Sequence, residues 1–215
     1  MICGLVLAAG DGSRFDGPEP KLLAPLNGRP LVEHAIAAIC AVPEIERVVV
    51  VLGSRLEEIR NAVDFGRAEV TVCPEWRSGQ SASLRSGLRA ITNARNDTTC
   101  TSFGGVEGSA RCGSGAEALK VIVTLGDEPL VSSAAIALMA EQPAGARATY
   151  NGRPGHPVVL GPEQIEAIAS LNGDRGAREL LEGGVLVECS DLGSDMDVDT
   201  TADLEVIRSE ARAGV

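Results

Sequence analysis

A chain of 215 residues is long enough for one α/β domain with a substantial core, and we expect a single domain over residues 1–215. Its 30 Asp and Glu against 19 Lys and Arg give a net charge of −11, which argues against a surface for nucleic acid or an anionic membrane. No stretch is long and apolar enough to span a membrane. Residues 1–9 lead into a glycine turn rather than a cleavage site, so we expect a cytoplasmic protein.

The six cysteines are scattered without a Cys-x-x-Cys pair, and the chain has only two histidines. Neither zinc ligation nor a disulfide framework is expected, and most of these thiols are expected to be small core residues. Because aromatic residues make up only 2% of the chain, Ala, Val, Leu and Ile must build the core.

The first element is an apolar run at residues 2–9 that is too short for a helix and ends in Gly10, Asp11, Gly12 and Ser13. This pattern predicts a buried strand of the parallel type that enters a glycine-rich turn. Successive amide groups in such a turn can cradle an anion, and two cations, Arg14 and Lys21, follow closely. An ordinary strand-to-helix turn is the alternative, but the two cations favour a triphosphate cradle.

Strands and helices alternate over the next part of the chain. Residues 31–39 and 56–63 have the pattern of helices, and residues 48–52 and 69–73 have the pattern of strands. Such alternation implies right-handed crossovers and a parallel sheet.

After the third predicted strand, Gly79 interrupts the chain, Ser81 can cap a helix, and apolar residues recur at helical spacing. A plain capped helix explains this segment. A nucleotide pocket that includes Gly79, Ser81 and Ser83 is the competing explanation, because ligands in open α/β sheets lie beyond the carboxyl ends of strands.

Residues 93–118 are rich in Gly, Ser, Thr, Asn and Ala and have no hydrophobic period. We interpret them as a flexible surface insertion, with a functional lid as the alternative.

The sheet is predicted to resume at residues 121–125, which Gly126 and Asp127 follow. Mg²⁺ prefers one or two carboxylates together with substrate phosphates, and a carboxylate just beyond a central strand can supply one. Capping of the next helix is the alternative for Asp127, and we favour metal binding.

Two later segments carry candidate groups for binding a second substrate. A turn that leads into a strand contains Gly155 and His156 before Pro157, which suits either substrate shaping or a structural role. Arg175 and Arg178, at the start of a predicted helix, suit an anionic acceptor or a solvated face.

Near the end of the chain, Asp195, Asp197 and Asp199 alternate and would point to one side of an extended segment. Three carboxylates on one face repel one another unless a cation or water separates them, and we expect a second metal ligand from Asp197 or Asp199. Thr200 can cap a last helix over residues 202–211.

The start of the chain resembles the nucleotidyltransferases that activate sugars, isoprenoid precursors and cofactors. These enzymes share Leu-Ala-Ala-Gly, a small loop that ends in Arg, and then Pro-Lys, here Pro20 and Lys21. The resemblance implies that the loop, including Leu7 and Ala8, wraps a nucleoside triphosphate whose phosphates Lys21 contacts.

Apart from residues 93–118, nearly the whole chain is similar to the molybdenum cofactor cytidylyltransferases. The segments that carry this similarity are Leu7-Ala8-Ala9-Gly10, Pro20-Lys21-Leu22-Leu23, Gly79-Gln80-Ser81-Ala82-Ser83-Leu84, Leu125-Gly126-Asp127, Gly152-Arg153-Pro154-Gly155-His156-Pro157, Gly173-Asp174-Arg175-Gly176-Ala177-Arg178 and Asp197-Val198-Asp199-Thr200. The first two segments are common to the superfamily, and the segments around His156 and Arg175 are more specific to the family.

The resemblance implies a Rossmann-like, three-layer α/β fold of the GT-A-like nucleotidyltransferase type with a mostly parallel central sheet. Ala9, where guanylyltransferases usually have a second glycine, implies CTP rather than GTP, and Ser81 and Ser83 fall where relatives hold cytosine and ribose. The chain departs from the family in the insertion and in Glu128, which stands where Gln is common and adds a negative charge near the metal.

The expected reaction is transfer of CMP from CTP to the terminal phosphate of molybdopterin or molybdenum cofactor, with release of pyrophosphate. Arg14, Lys21 and Asp127 would be catalytic, and Asp127 with Asp197 or Asp199 would hold Mg²⁺. A recipient molybdoenzyme is a possible partner. The alternatives are transfer to methylerythritol phosphate or a sugar phosphate, and a non-catalytic chaperone that binds the cofactor.

Overall fold

The computed structural model describes residues 1–98, 118–168 and 180–213, of which 94–98 and 210–213 are described by their backbone alone. The strands in these ranges are β1 (Ile2–Ala8), β2 (Pro25–Leu26), β3 (Arg29–Pro30), β4 (Arg47–Leu52), β5 (Glu69–Val72), β6 (Lys120–Leu125), β7 (Arg147–Tyr150), β8 (Arg153–Leu160) and β9 (Leu186–Glu188). The α-helices are α1 (Leu31–Cys40), α2 (Leu56–Ala62), α3 (Gln80–Thr98), α4 (Ser133–Glu141), α5 (Pro162–Ile168) and α6 (Thr201–Ala213).

One sheet of seven strands has the order β5–β4–β1–β6–β8–β7–β9, and β2 pairs with β3 in a separate hairpin. Strands β5, β4, β1 and β6 are parallel, β8 is antiparallel to both of its neighbours, and β9 is parallel to β7. The carboxyl ends of the four parallel strands therefore meet at one edge of the sheet, where the glycine loop after β1 and Asp127 after β6 lie side by side.

Strand β1 is buried on both faces, which explains why its sequence is continuously apolar. Leu5 and Leu7 face a core layer that α3 covers, while Val6 and Ala8 face a second layer that α1 covers. Helices on both faces of a largely parallel sheet make the three-layer arrangement, so the predicted α/β fold class is confirmed.

The elements predicted in the first part of the chain are confirmed to within about one residue at each end. Helix α3, however, begins at Gln80, so Ser81 lies inside the first turn and is not the residue that caps it. Helix α3 also continues to Thr98, so the predicted insertion begins as helix, and residues 99–117 lie outside the described residues.

Two further predictions about local structure are wrong. Gly155 and His156 belong to strand β8, not to a loop, because Asn151 and Gly152 form a tight turn between β7 and β8. The φ angles of Asn151 (51°) and Gly152 (74°) match the primed hairpin turns that Asn-Gly favours. Residues 194–200, where the three aspartates were expected to alternate at strand spacing, form neither strand nor helix.

None of the helices in the described parts of the chain is long and apolar enough to cross a membrane.

Gly87 on α3 lies directly against the sheet. A Cβ there would clash with a Leu5 methyl group and lie 2.8 Å from Val51 Cγ2. We predict that Gly87→Ala lowers the free energy of unfolding, because overpacking costs about 1–3 kcal/mol and the gain in helix propensity is about 1 kcal/mol. Urea unfolding measures the change, and Arg89→Ala on the exposed side of α3 is the control, expected within about 0.5 kcal/mol of wild type.

Candidate active site

The loop after β1 is folded by local hydrogen bonds. The amide of Phe15 donates to the carbonyl of Gly12 (2.8 Å), and the amide of Ser13 donates to the Asp11 carboxylate (3.1 Å). Gly12 has a φ of 60°, and a Cβ on it would lie 2.8 Å from Lys21 Cβ. Glycine is therefore required here to bring the loop against Lys21.

Lys21 bridges two carboxylates. Its Nζ lies 2.6 Å from Asp127 Oδ2 and 3.2 Å from Asp199 Oδ1, and its side chain is only 10% exposed. Burial lowers the pKa of Lys21, but the charges and hydrogen bonds of Asp127 and Asp199 outweigh that effect and raise it. The ammonium group therefore stays charged at neutral pH.

Arg14 extends this arrangement toward solvent. Its guanidinium lies 2.8 Å from Asp199 Oδ2, and its side chain is 78% exposed. Asp127, Lys21, Asp199 and Arg14 thus form a row of alternating charges, which we call the charge row, from the carboxyl end of β6 to the glycine loop. The structure brings together the predicted catalytic residues and one of the two candidate second metal ligands.

The position of Asp127 is set by its backbone. The amide of Gly126 donates to the carbonyl of Leu7 (2.9 Å), and a Cβ on Gly126 would lie 2.9 Å from Ala8 Cβ. The carbonyl of Asp127 itself accepts from the amide of Val198 (3.0 Å). The segment that carries Asp199 is therefore tied to the end of β6. The helix after Asp127 is capped by Ser132, so the capping role considered for Asp127 is excluded.

A capping box at the start of α6 positions Asp199. The amide of Asp203 donates to Thr200 Oγ1 (3.3 Å), and the Asp203 carboxylate accepts from the amides of Thr200 (2.7 Å) and Asp199 (3.1 Å). The Thr200 hydroxyl also donates to that carboxylate (2.8 Å), and the hydrogen bonds from the Thr200 side chain and then from its amide lower the pKa of Asp203. The predicted cap at Thr200 is confirmed.

Asp127 and Asp199 are the carboxylate pair that could hold a divalent cation, because both converge on one nitrogen, the Lys21 ammonium, which lies between them. The charges of Asp199 and Asp127 also act on Asp197. Burial raises the pKa of Asp197, and these two charges raise it further. Within residues 1–98, 118–168 and 180–213, no three His, Cys, Asp or Glu side chains are arranged as a complete metal site. Two carboxylates with substrate oxygens as the other ligands is the arrangement typical of Mg²⁺.

A cavity of about 220 Å³ lies beside the charge row. It is lined by Leu7, Ala9, Gly10, Gln80, Ser83, Leu125 and Asp127. A Cβ on Gly10 would meet nothing within 4 Å, so this glycine leaves space that a side chain would fill.

The predicted nucleotide-binding residues divide into two groups. Leu7, Ala9, Gly10 and Ser83 line the cavity, whereas Ser81 is fully buried and is not among the lining residues. Gly79, with a φ of 99°, sets the turn before α3. Sequence reasoning missed Gln80, although its place directly after a glycine and at a helix start was a usable signal.

The end of β4 supports the glycine loop from the other side. The amide of Ser54 donates to the carbonyl of Ala9 (3.0 Å), and a Cβ on Gly53 would lie 2.7 Å from that carbonyl and 2.6 Å from Trp76 Cβ. Trp76 is the single tryptophan of the chain. Its fluorescence is therefore a natural reporter of events at the glycine loop.

A wider cavity of about 660 Å³ borders Asp197. Its walls are Tyr150, Asn151 and Arg153 of the β7–β8 hairpin and residues 193–197. Arg153 belongs to the segment around His156 that carries the family resemblance, whereas no motif pointed to Tyr150. The single tyrosine of the chain, directly before an Asn-Gly turn, was the available signal.

Of the predicted acceptor-binding residues, Gly155 and His156 lie in β8, and neither lines the two cavities. Gly155 packs against the side chain of Asp195, and His156 Nδ1 lies 3.1 Å from Glu128 Oε1. Burial raises the pKa of Glu128, although His156 opposes this effect. Arg175 and Arg178 lie outside the described residues.

Glu188 holds the hairpin turn. Its carboxylate accepts from Thr149 Oγ1 (3.0 Å) and from the amides of Asn151 (3.2 Å), Gly152 (3.3 Å) and Ser190 (3.1 Å). The Ser190 hydroxyl also donates to it. Hydrogen bonds, above all from the Ser190 side chain, lower the pKa of Glu188 from 4.5 to about 2.

Residues 4–189 match the MobA-like NTP transferase domain family. The chain belongs to this family. It is 30% identical to the nicotine blue oxidoreductase of Paenarthrobacter nicotinovorans, over 93% of this chain and 92% of that protein. It is 34% identical to the 2-C-methyl-D-erythritol 4-phosphate cytidylyltransferase of Chromobacterium violaceum, over 52% of this chain and 47% of that enzyme.

Solved structures have the same fold. The crystal structure of an Rv0371c homologue from Mycobacterium sp. strain JC1 is 25% identical, covers 99% of this chain and 98% of its own, and superposes with a TM-score of 0.71. A manganese complex of Rv0371c from Mycobacterium tuberculosis is 22% identical over 97% of this chain and 98% of its own, with a TM-score of 0.65.

The hydrogen bonds of Glu188 predict a pH dependence of stability. Because its pKa is depressed in the folded state, its contribution is present above 4.5 and is lost as pH falls toward about 2. We expect Glu188→Gln to destabilise the protein at neutral pH, and the difference from wild type to shrink as pH falls below 4.5. Urea unfolding at several pH values measures this difference. Glu57→Gln on α2 is the control for loss of one exposed charge, and a difference that stays constant with pH would contradict the prediction.

Proposed function

We propose that this member of the nucleotidyltransferase superfamily transfers CMP from CTP to the terminal phosphate of a molybdopterin-type acceptor and releases pyrophosphate. The observation that carries the proposal is the charge row, which sets two cations and two carboxylates beside a glycine loop and an open cavity. CTP is favoured by the resemblance at Ala9. The relation to a cytidylyltransferase agrees with that preference.

In the proposed mechanism, an oxygen of the acceptor phosphate attacks the α-phosphorus of CTP. The bond from that phosphorus to the bridging oxygen breaks, and pyrophosphate leaves. The acceptor phosphate is mostly ionised at neutral pH, since its second pKa is roughly 6, so no general base is needed. Catalysis then consists of positioning and charge neutralisation.

Each member of the charge row has a role in this scheme. Lys21 and Arg14, with the amides of the glycine loop, hold the triphosphate. Asp127 and Asp199, with Asp197 as the alternative second ligand, hold a divalent cation, which we propose is Mg²⁺. When bound, that cation neutralises charge on the α-phosphate and the leaving group. The manganese complex of Rv0371c agrees with a divalent ion on this fold.

The acceptor is proposed to occupy the wider cavity, because this cavity borders Asp197, on which the charges of Asp199 and Asp127 act. Methylerythritol phosphate or a sugar phosphate would use the same chemistry and the same side of the site. A chaperone that binds the cofactor without catalysis would bind CTP but release no pyrophosphate. Pyrophosphate release with CTP, GTP and ATP, each offered with these acceptors, separates the possibilities.

A second candidate is a reductase, because the relative that matches along nearly its whole length is named an oxidoreductase. A glycine loop suits a dinucleotide as well as a triphosphate. Hydride transfer, however, creates no polyphosphate leaving group and does not need two carboxylates that converge on one cation. The charge row therefore favours the transferase. Oxidation of NADH or NADPH with a quinone-type dye, in the absence of CTP, would favour the reductase instead.

We predict that Asp127→Asn lowers pyrophosphate release by at least about 100-fold, because the cation loses one of its two carboxylates. The fold should persist, since Lys21 keeps its contact with Asp199. The matched control is Asp191→Asn, at an exposed aspartate before the 193–197 segment, with activity near that of wild type. An active Asp127→Asn enzyme with normal Mg²⁺ dependence would remove Asp127 from the mechanism.

We also predict that Gly10→Ala abolishes CTP binding while leaving stability unchanged, because its Cβ would enter open space in the cavity. Quenching of Trp76 fluorescence measures binding, and urea unfolding measures stability. Gly87→Ala should show the opposite pattern, with lower stability and intact CTP affinity. Normal CTP affinity in Gly10→Ala would place the nucleotide elsewhere.

A further inference from the structure

We propose that the turn segment, Tyr150 to Arg153, recognises the body of the acceptor, and that Glu188 is the positioning residue that holds this segment in shape. The proposal rests on the proposed function, because it takes the wider cavity to be the acceptor side of the active site. It assigns to the turn a class of ligand: a phosphomonoester whose body carries hydroxyl or amino groups.

The charges of the wider cavity define this ligand class. Its described walls carry two carboxylates, Asp195 and Asp197, and one guanidinium, Arg153. The net negative charge of these walls would repel an acceptor body that carries further negative charges. Hydrogen-bond donors on that body would instead be matched to the carboxylates. Asp195 is held in place because its side chain packs against the backbone of Gly155, where a Cβ would lie 2.9 Å from Asp195 Cβ.

The hydroxyl of Tyr150 is the second observation that points to a ligand. Its ring is buried with Met139, Val159 and Cys189 under α4, and the residue is 4% exposed. The hydroxyl is buried and has no hydrogen-bond partner among the described residues, although Tyr150 lines the cavity. Buried hydroxyl groups are nearly always paired, so this one is available to a bound molecule. Glu128 Oε2 is also buried without a hydrogen-bond partner among the described residues.

Glu188 acts on the cavity only through the turn. It does not line the cavity, and its carboxylate accepts hydrogen bonds from Thr149, Asn151, Gly152 and Ser190. The amide of Asn151 donates to the Ser190 hydroxyl (2.7 Å) as well. The carboxylate thus fixes the backbone between Tyr150 and Arg153. These two residues line the cavity on either side of the Asn-Gly turn.

The test compares Tyr150→Phe and Glu188→Gln with wild type and with the control Glu57→Gln. In turnover, the KM for the acceptor should rise about three- to tenfold in both variants, as expected for one lost hydrogen bond, while kcat and the KM for CTP stay within twofold. A purely structural role would instead lower the active fraction and leave both KM values unchanged. Tyr150→Phe keeps the buried ring, so it remains informative if Glu188→Gln folds poorly.

Calorimetry provides a readout that does not depend on turnover. Two probes are used: ribose 5-phosphate is a phosphomonoester whose body carries hydroxyl groups, and 6-hydroxymethylpterin represents an amino-bearing body without the phosphate. Wild type should bind at least one probe, and Tyr150→Phe should weaken that binding three- to tenfold. Binding of neither probe, or equal binding by wild type and Tyr150→Phe, would overturn the inference. Absence of pyrophosphate release by wild type would overturn the proposed function alone, since probe binding is judged separately.

Discussion

The bridge from Lys21 to Asp127 and Asp199 is the interaction on which the site depends. It joins a residue near the start of the chain to one after β6 and to one before α6, and it places a buried positive charge between two carboxylates. An unpaired ammonium at 10% exposure would be costly, so the three groups must be arranged together or not at all. The bridge thus holds a cation and two carboxylates together at the place where we propose that a divalent ion and phosphates bind.

The two halves of the sheet supply different parts of the site around this bridge. The parallel half, β5 to β6, supplies the glycine loop, Asp127 and the cavity beside α3. The half that begins with the antiparallel strand β8 supplies the hairpin and the segment that precedes Asp199. Asp127, at one end of the charge row, follows β6, the strand of the parallel half that pairs with β8.

Much of this arrangement was predictable because short-range patterns determine it. The apolar runs with abrupt glycine ends predicted β1, β4 and β6, and the carboxyl ends of parallel strands predicted that Lys21 and Asp127 would be neighbours. Long-range contacts were not predictable in the same way. The pairing of Glu128 with His156 and the hydrogen bonds that Glu188 accepts from Thr149, Asn151 and Gly152 join residues that are far apart in sequence and follow no period. The alternating aspartates misled because alternation requires a strand, and residues 193–199 form none.

The length of α3 has a consequence for how the family can vary. Gln80, at the start of α3, lines the cavity beside the charge row. The helix ends at Thr98, which at 1.5 Å per residue is about 27 Å from Gln80. Lys120, where the described chain re-enters the sheet, begins β6, while Leu125 at the other end of that strand lines the same cavity. Both anchor points thus lie away from that cavity and from Asp127. A family member with a different sequence between these two points would attach it far from the charge row.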